Sequence, residues 1–208
     1  MAPKYKFTKE EMVAAAVRVV QKNGMDGLTA KSMAAELGAS TQPIFTAFET
    51  MEDVKNEVRA AAEDKYAEYT ARGLQESVPF FGVGMQHIRF AEQEPELYRY
   101  LFFEKTNNGK DGAFAAMERS KNKVLPSLMG VYKISAAAAD RYFRDLWLVV
   151  HSLATLIVTG ENPYSEQEIG RILTGFSVSI YKSIREIPGF VDDSYDRDEV
   201  FRKLLNEK

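Results

Sequence analysis

Apolar residues recur every three to four positions along most of the chain, the period of a half-buried helix; the two-residue alternation of a strand is nearly absent. Met12, Val13, Ala16, Val17 and Val20 make a first stripe. Thr8 followed by Glu11 predicts a capping box at its start, and Asn23-Gly24 predicts its stop. Thr29 is expected to cap a second, short helix that turns Met33, Ala34 and Leu37 inward and ends at Gly38. Ser40 is expected to cap the next helix, which carries Pro43 in its first turn, where a missing N–H costs nothing, and buries Ile44 and Phe48. Thr50 and Asp53 then open a longer helix with Val54, Val58, Ala61, Ala62 and Tyr69 on one stripe.

Beyond Gly73 aromatic residues become frequent and the helices lengthen. Helices are expected over about 77–92, from Glu94-Pro95 to about Lys105, and over about 111–129, where Pro126 should kink or end the helix. Ser135 caps a helix to about Thr159, Ser165 with Glu168 caps another to about Ile187, and a short terminal helix is expected over about 195–206. Loops fall at 106–109, 160–163 and Pro188-Gly189. The fold class is all-α.

Composition narrows the functional classes. The chain has 208 residues and 45% hydrophobic content, enough for a substantial core. Its 27 basic and 30 acidic side chains leave a net charge of -3, so the whole molecule is no general polyanion binder, although a local basic patch stays possible. The absence of cysteine removes disulfides, thiolate zinc sites and cysteine nucleophiles, and suits a reducing compartment. The longest apolar stretch, 146–158, is interrupted by His151, Ser152 and Thr155 and is too short to span a bilayer. The first residues lack a signal-peptide core, so a cytoplasmic location without membrane attachment is expected.

Candidate chemistry is sparse. His87 and His151 are the only histidines and have no carboxylate at ligand spacing, so neither a metal nor a cofactor is expected. His151 and Ser152 are adjacent on a helix and point apart, and Gly82-Val83-Gly84 follows no strand. The acidic run 192–199 lacks the glycine and spacing of a calcium loop. No catalytic constellation is present, and an enzyme is not expected.

The N-terminal residues are more informative. A short helix, a turn on Gly38 and a second short helix form a helix-turn-helix, and the small Ala34, Ala35 and Ala39 let the two helices approach. The stretch Leu28-Thr29-Ala30-Lys31-Ser32-Met33-Ala34-Ala35-Glu36-Leu37-Gly38-Ala39-Ser40, with Ile44-Phe45 and Phe48, resembles the TetR family of repressors. The segment from Leu146-Trp147 through His151-Ser152-Leu153 is similar to the tryptophan-histidine segment of one C-terminal subgroup of that family.

That resemblance implies a DNA-binding domain over 1–50 and a helical ligand-binding and dimerisation domain over 51–208. It implies a homodimer that binds a double-stranded DNA operator of pseudo-palindromic sequence and is released by a small-molecule effector. The DNA-facing candidates are Thr29, Lys31, Ser40, Thr41, Gln42, Pro43, Phe45, Thr46 and Lys55, helped by a basic arm with Lys4 and Lys6. Gln42 can pair bidentately with adenine or reach a phosphate, while Pro43 and Phe45 can meet thymine methyls. The chain departs from the family at Phe45, usually Tyr, at Ala47, often His, at Glu49, frequently Lys, and at Met51, often basic. Usual phosphate contacts are thus absent or reversed, which motivates an alternative: a helical small-molecule-binding protein that has lost specific DNA recognition.

For the effector pocket the implied candidates are Phe81, Met85, Phe90, Tyr98, Phe102, Phe103, Phe114, Tyr142, Trp147 and His151, each of which also reads as plain core. For the dimer interface they are Val150, Leu153, Ile157, Ile172, Phe176, Ser179 and Ile180, because the helix over 135–159 is apolar on more than one face and its successor carries a stripe beside small residues.

Overall fold

The computed structural model describes residues 7–104 and 112–206; the expected arm residues Lys4 and Lys6 and the 106–109 loop lie outside them. Among the described residues all regular structure is helical. The helices are α1 (Lys9–Asn23), α2 (Ala30–Leu37), α3 (Gln42–Ala47), α4 (Met51–Leu74), α5 (Pro79–Gln93), α6 (Pro95–Phe102), α7 (Ala113–Tyr132), α8 (Ala136–Thr159), α9 (Glu166–Glu186) and α10 (Arg197–Asn206), with one 3-10 turn at Met25–Gly27. None of the described helices is long and apolar enough to cross a membrane.

The helix starts follow from side-chain capping. Thr8 with Glu11 and Ser165 with Glu168 form reciprocal capping boxes, and Ser135 accepts from the Ala138 N–H. Thr29 accepts from the Ser32 N–H while Ser32 returns the bond, so a serine fills the place usually held by Glu or Gln. One expectation fails. Thr41, not Ser40, is the cap residue of α3; its backbone is already helical and its side chain caps nothing. Of the two outcomes expected at Pro126, a kink or an end, the end does not occur: α7 runs past it to Tyr132. Proline removes one backbone donor and crowds the carbonyl four residues back, and the packing of α7 residues such as Val124 and Leu128 on the core supports helix on both sides of it.

The chain folds into two compact units, which α4, α5 and α7 each enter in part. The first comprises 1–69 and 89–116, the second 70–88 and 117–208. In the first unit α1 packs on α2 and α6. Its buried side is Met12, Ala15, Ala16, Val19 and Val20, one strip over from the expected stripe, with Val13 and Val17 half-buried. Glu36 of α2 accepts hydrogen bonds from Lys22 Nζ and Arg18 Nε of α1, both at 2.7 Å, and these bonds hold its carboxyl below the ordinary range. Tyr66 and Tyr69 of α4 pack on Phe90 with centroids 5.2 Å away. Arg59 is 7% exposed; its Nη2 donates to the Tyr100 carbonyl at 3.2 Å and its guanidinium lies 4.3 Å above the Tyr100 ring. Its Nε and Nη1 have no partner among the described residues.

In the second unit α8 packs along α9. The end of α4 meets the start of α5 through two glycines: a Cβ on Gly73 would sit 2.5 Å from the Val83 nitrogen, and one on Gly82 would sit 2.4 Å from the Gly73 oxygen. The segment before α10 is tied down by Arg141 of α8, which donates to the Phe190 carbonyl at 3.1 Å, stacks on the Phe190 ring and pairs with Asp145 and Asp193.

Candidate functional site

The helix-turn-helix lies wholly within the first unit. Gly38 ends α2 at φ +61°, a left-handed conformation that glycine adopts without the penalty a Cβ brings, and its N–H returns to Ala34 and Ala35. The chain then enters α3, which is held from below by Ile44 and Phe48, both buried. With those two residues inward, Ser40, Thr41, Gln42 and Thr46 are exposed, Pro43 is half-buried, and Phe45 is 55% exposed.

The hydrogen bonds within this surface limit what it can offer. Thr46 Oγ1 donates to the Gln42 carbonyl at 2.9 Å, which leaves its lone pairs as acceptors. The Thr29 oxygen is engaged in the cap, so Thr29 positions α2. Lys31 is exposed and has no ion pair among the described residues, so its ammonium is available to a phosphate. Lys55 is half-buried on α4 and lies 3.5 Å from Glu52, and its carbonyl accepts the Tyr100 hydroxyl. To meet a phosphate it must leave that carboxylate. No basic residue lies on α3, and Glu49, Glu52 and Asp53 follow it closely.

The ten expected pocket residues are not gathered in one place. Phe90, Tyr98 and Phe102 are core of the first unit, with Tyr98 and Phe102 centroids 4.5 Å apart. Phe103 and Phe114 are exposed. In the second unit Met85, Tyr142 and Trp147 are buried, and Trp147 stacks on His151 at 4.6 Å with 11° between the planes. His87 closes this group 6.0 Å from His151. Burial, with the His151 ring beside it, pushes His87 down to about 3; burial alone pushes His151 down to about 4. Both are therefore neutral at pH 7 and can each offer one donor and one acceptor. Trp147 Nε1 is buried with no partner among the described residues, an orphan donor of the kind that costs about 1–3 kcal/mol.

A cavity of about 850 Å³ opens elsewhere in the second unit, bounded by the segment before α5, the end of α7 and the C-terminal half of α9. That volume lies in the range of small-molecule sites. Of the expected residues Phe81 alone lines it, joined by Val78, Tyr132, Val178, Tyr181, Lys182 and Arg185. Tyr142 reaches its wall indirectly, through a hydrogen bond between its hydroxyl and Ser177. The missed residues left one trace in the sequence: Val178 and Tyr181 stand off the α9 stripe and mark a second apolar sector on that helix.

The seven expected interface residues divide. Val150 and Leu153 are buried within their own chain, since α8 turns that sector onto the core. Ile157, Ile172 and Ile180 are half-buried, Phe176 is 48% exposed, and Ser179 is exposed. The open sector of α8 is instead Leu148, Ser152 and Leu156.

No protein-family model matches the chain. An uncharacterised HTH-type transcriptional regulator of Mycobacterium tuberculosis is 21% identical over 158 residues, which cover 74% of this chain and 72% of that protein. A member of the TetR family from Streptomyces coelicolor has a TM-score of 0.57 and 19% identity, covering 81% of this chain and 96% of its own. The multidrug binding protein EbrR in complex with malachite green has a TM-score of 0.56 and 21% identity, covering 79% and 95%. The two units and the helix-turn-helix together have the fold of the TetR-family regulators.

Proposed function

We propose that the chain is a ligand-responsive transcriptional regulator, a repressor that works in the cytoplasm as a homodimer on a pseudo-palindromic operator. One observation carries the DNA reading: α3 buries Ile44 and Phe48 and turns Gln42, Thr46 and Phe45 outward directly after the left-handed turn at Gly38. Those residues and Lys31 form the surface that would enter a major groove, with Gln42 reading a base, Phe45 against a thymine methyl and Lys31 on a phosphate.

The dimer reading rests on α8 and α9. Phe176 and Leu148 leave large apolar surface outside, and the hydroxyls beside them are already satisfied within their own helices. Ser152 donates to the Leu148 carbonyl, Ser179 to Gly175 and Ser183 to Ser179, all at 2.8–2.9 Å. Such faces can lose water without leaving orphan donors. A dimer of this kind sets two α3 helices about 34–36 Å apart, the spacing of successive major grooves. An effector that binds better to a conformation with another spacing lowers DNA affinity by its differential affinity for the two states. EbrR, of the same fold, binds malachite green.

The test is gel retardation with genomic fragments over a salt series. A fragment that outcompetes bulk DNA, and is lost in Gln42→Ala, is the expected result. A second reading, a small-molecule-binding protein without specific DNA recognition, is favoured by the absence of a basic residue on α3 and the acidic residues after it. Under that reading no fragment outcompetes bulk DNA.

A further inference from the structure

The cavity on α9 has a chemistry that the preceding reading does not use. At 100° per residue, Ile169 and Leu173 face the core, and Ile172 with Phe176 lie on one flank of that core stripe. Val178, Tyr181 and Arg185 lie about 100–160° round the helix from that stripe, turning away from Ile172 and Phe176, and line the cavity, so the proposed dimer seam leaves it uncovered. Its body is apolar: Val178, Phe81 and the Tyr132 and Tyr181 rings, whose centroids are 5.5 Å apart.

Two cations, Lys182 and Arg185, stand at its wall, three positions apart on one helix face, and neither has an ion pair among the described residues. Two carboxylates also border it. Glu76 already accepts from Gln86 Nε2 at 3.5 Å, and Glu186 is exposed at the last position of α9. The start of α5 adds the positive end of a fifteen-residue helix to the same side.

We infer that this cavity is a binding site for a small aromatic or aliphatic acid, with the apolar body between Phe81, Tyr132 and Val178 and the acid group held by Lys182 and Arg185. The inference rests on the ligand-responsive reading for its regulatory consequence only, not for binding itself. An arginine with a lysine beside it suits a carboxylate, and a body of two fused rings fits the volume.

The test is isothermal titration of the full-length protein with 1-naphthoate, its neutral methyl ester and the cationic 1-naphthylmethylamine. The acid should bind at least tenfold more tightly than the ester and the amine. The double variant Lys182→Gln with Arg185→Gln, both at exposed positions, should weaken the acid tenfold or more and leave the ester unchanged. Val178→Trp should weaken the acid and the ester together. Equal binding of acid, ester and amine overturns the inference, and so does acid binding that survives both sets of substitutions. Removal of residues 197–208 that raises acid affinity and dissociates an oligomer would make α10 of a second copy the occupant, which also overturns it. Gel retardation with the acid separates the two readings. Binding without any effect on DNA leaves the site standing and removes the ligand-responsive reading; release of DNA by another compound, with no acid binding, does the reverse.

Discussion

His87 lies almost wholly out of water against Trp147 and His151, and burial with the neighbouring imidazole lowers its pKa to about 3. In an unfolded chain the same ring titrates near 6.5. Between those values the unfolded chain takes up a proton that the folded protein refuses, so stability falls as the pH falls, by about 1.4 kcal/mol per pH unit. The contribution is fully present above about pH 6.5 and is lost as the pH drops toward 3. Going from pH 7 to pH 5 crosses about one and a half pH units of that window, a loss of about 2 kcal/mol from His87. His151, lowered to about 4 and less enclosed, acts in the same direction with smaller weight.

The window isolates the imidazoles. Glu36 and Glu168 are held low by their partners, so their contributions are lost only below the ordinary carboxylate range. Glu104 is raised by burial and acts in the opposite sense, equally in wild type and variant. The assay is urea unfolding at pH 7 and pH 5 of the wild type and His87→Gln, which keeps hydrogen-bonding groups and removes the titration. The wild type should lose about 2 kcal/mol more than the variant over that interval. Equal losses would refute the claim that burial holds His87 neutral.

Three further outcomes are expected. Lys31→Ala should weaken DNA retention evenly across sequences and reduce the salt slope by about 1, whereas Gln42→Ala should relax preference at one base pair at a cost of about 1–3 kcal/mol; gel retardation over a salt series separates the two. Gly73→Ala forces a methyl group against the Val83 backbone and should destabilise by about 1–3 kcal/mol in urea unfolding, with little change if the corner can open. Arg59→Met removes a buried guanidinium with two unpartnered nitrogens and should leave stability within about 1 kcal/mol of wild type or above it; a loss of about 3 kcal/mol would show the cation to be compensated.

Local chemistry was the most legible layer. Thr8, Ser135 and Ser165 begin helices where hydroxyls before apolar stripes predict, because an N-cap is settled by neighbours three residues away. Gly38 marks its turn for the same reason. Tertiary decisions were hidden. Which strip of α1 goes inward depends on α2 and α6, and the burial of Ala15 and Val19 in place of Val13 and Val17 is a rotation that periodicity alone does not fix. Pro126 reads as a kink or an end because the sequence shows its missing donor and not the packing on either side. The aromatic run after Gly73 suggested one pocket, but it is shared between two units, and the cavity is lined by α9 residues that lie off that helix's main apolar stripe.

Helix α9 is in contact or open to contact on three sectors: the core at Ile169 and Leu173, the flank of Ile172 and Phe176, and the cavity wall at Val178 and Tyr181. Its freedom to vary is confined to what remains, a strip that includes Arg171 and Gly175. A helix committed on one face can drift in sequence over more than half of its positions, and this one cannot. Random substitution along the chain should therefore find α9 less forgiving than its many exposed residues suggest. Under the proposed function, a substitution that improves one sector is judged by the other two, so changes in effector preference and in dimer stability should be inherited together.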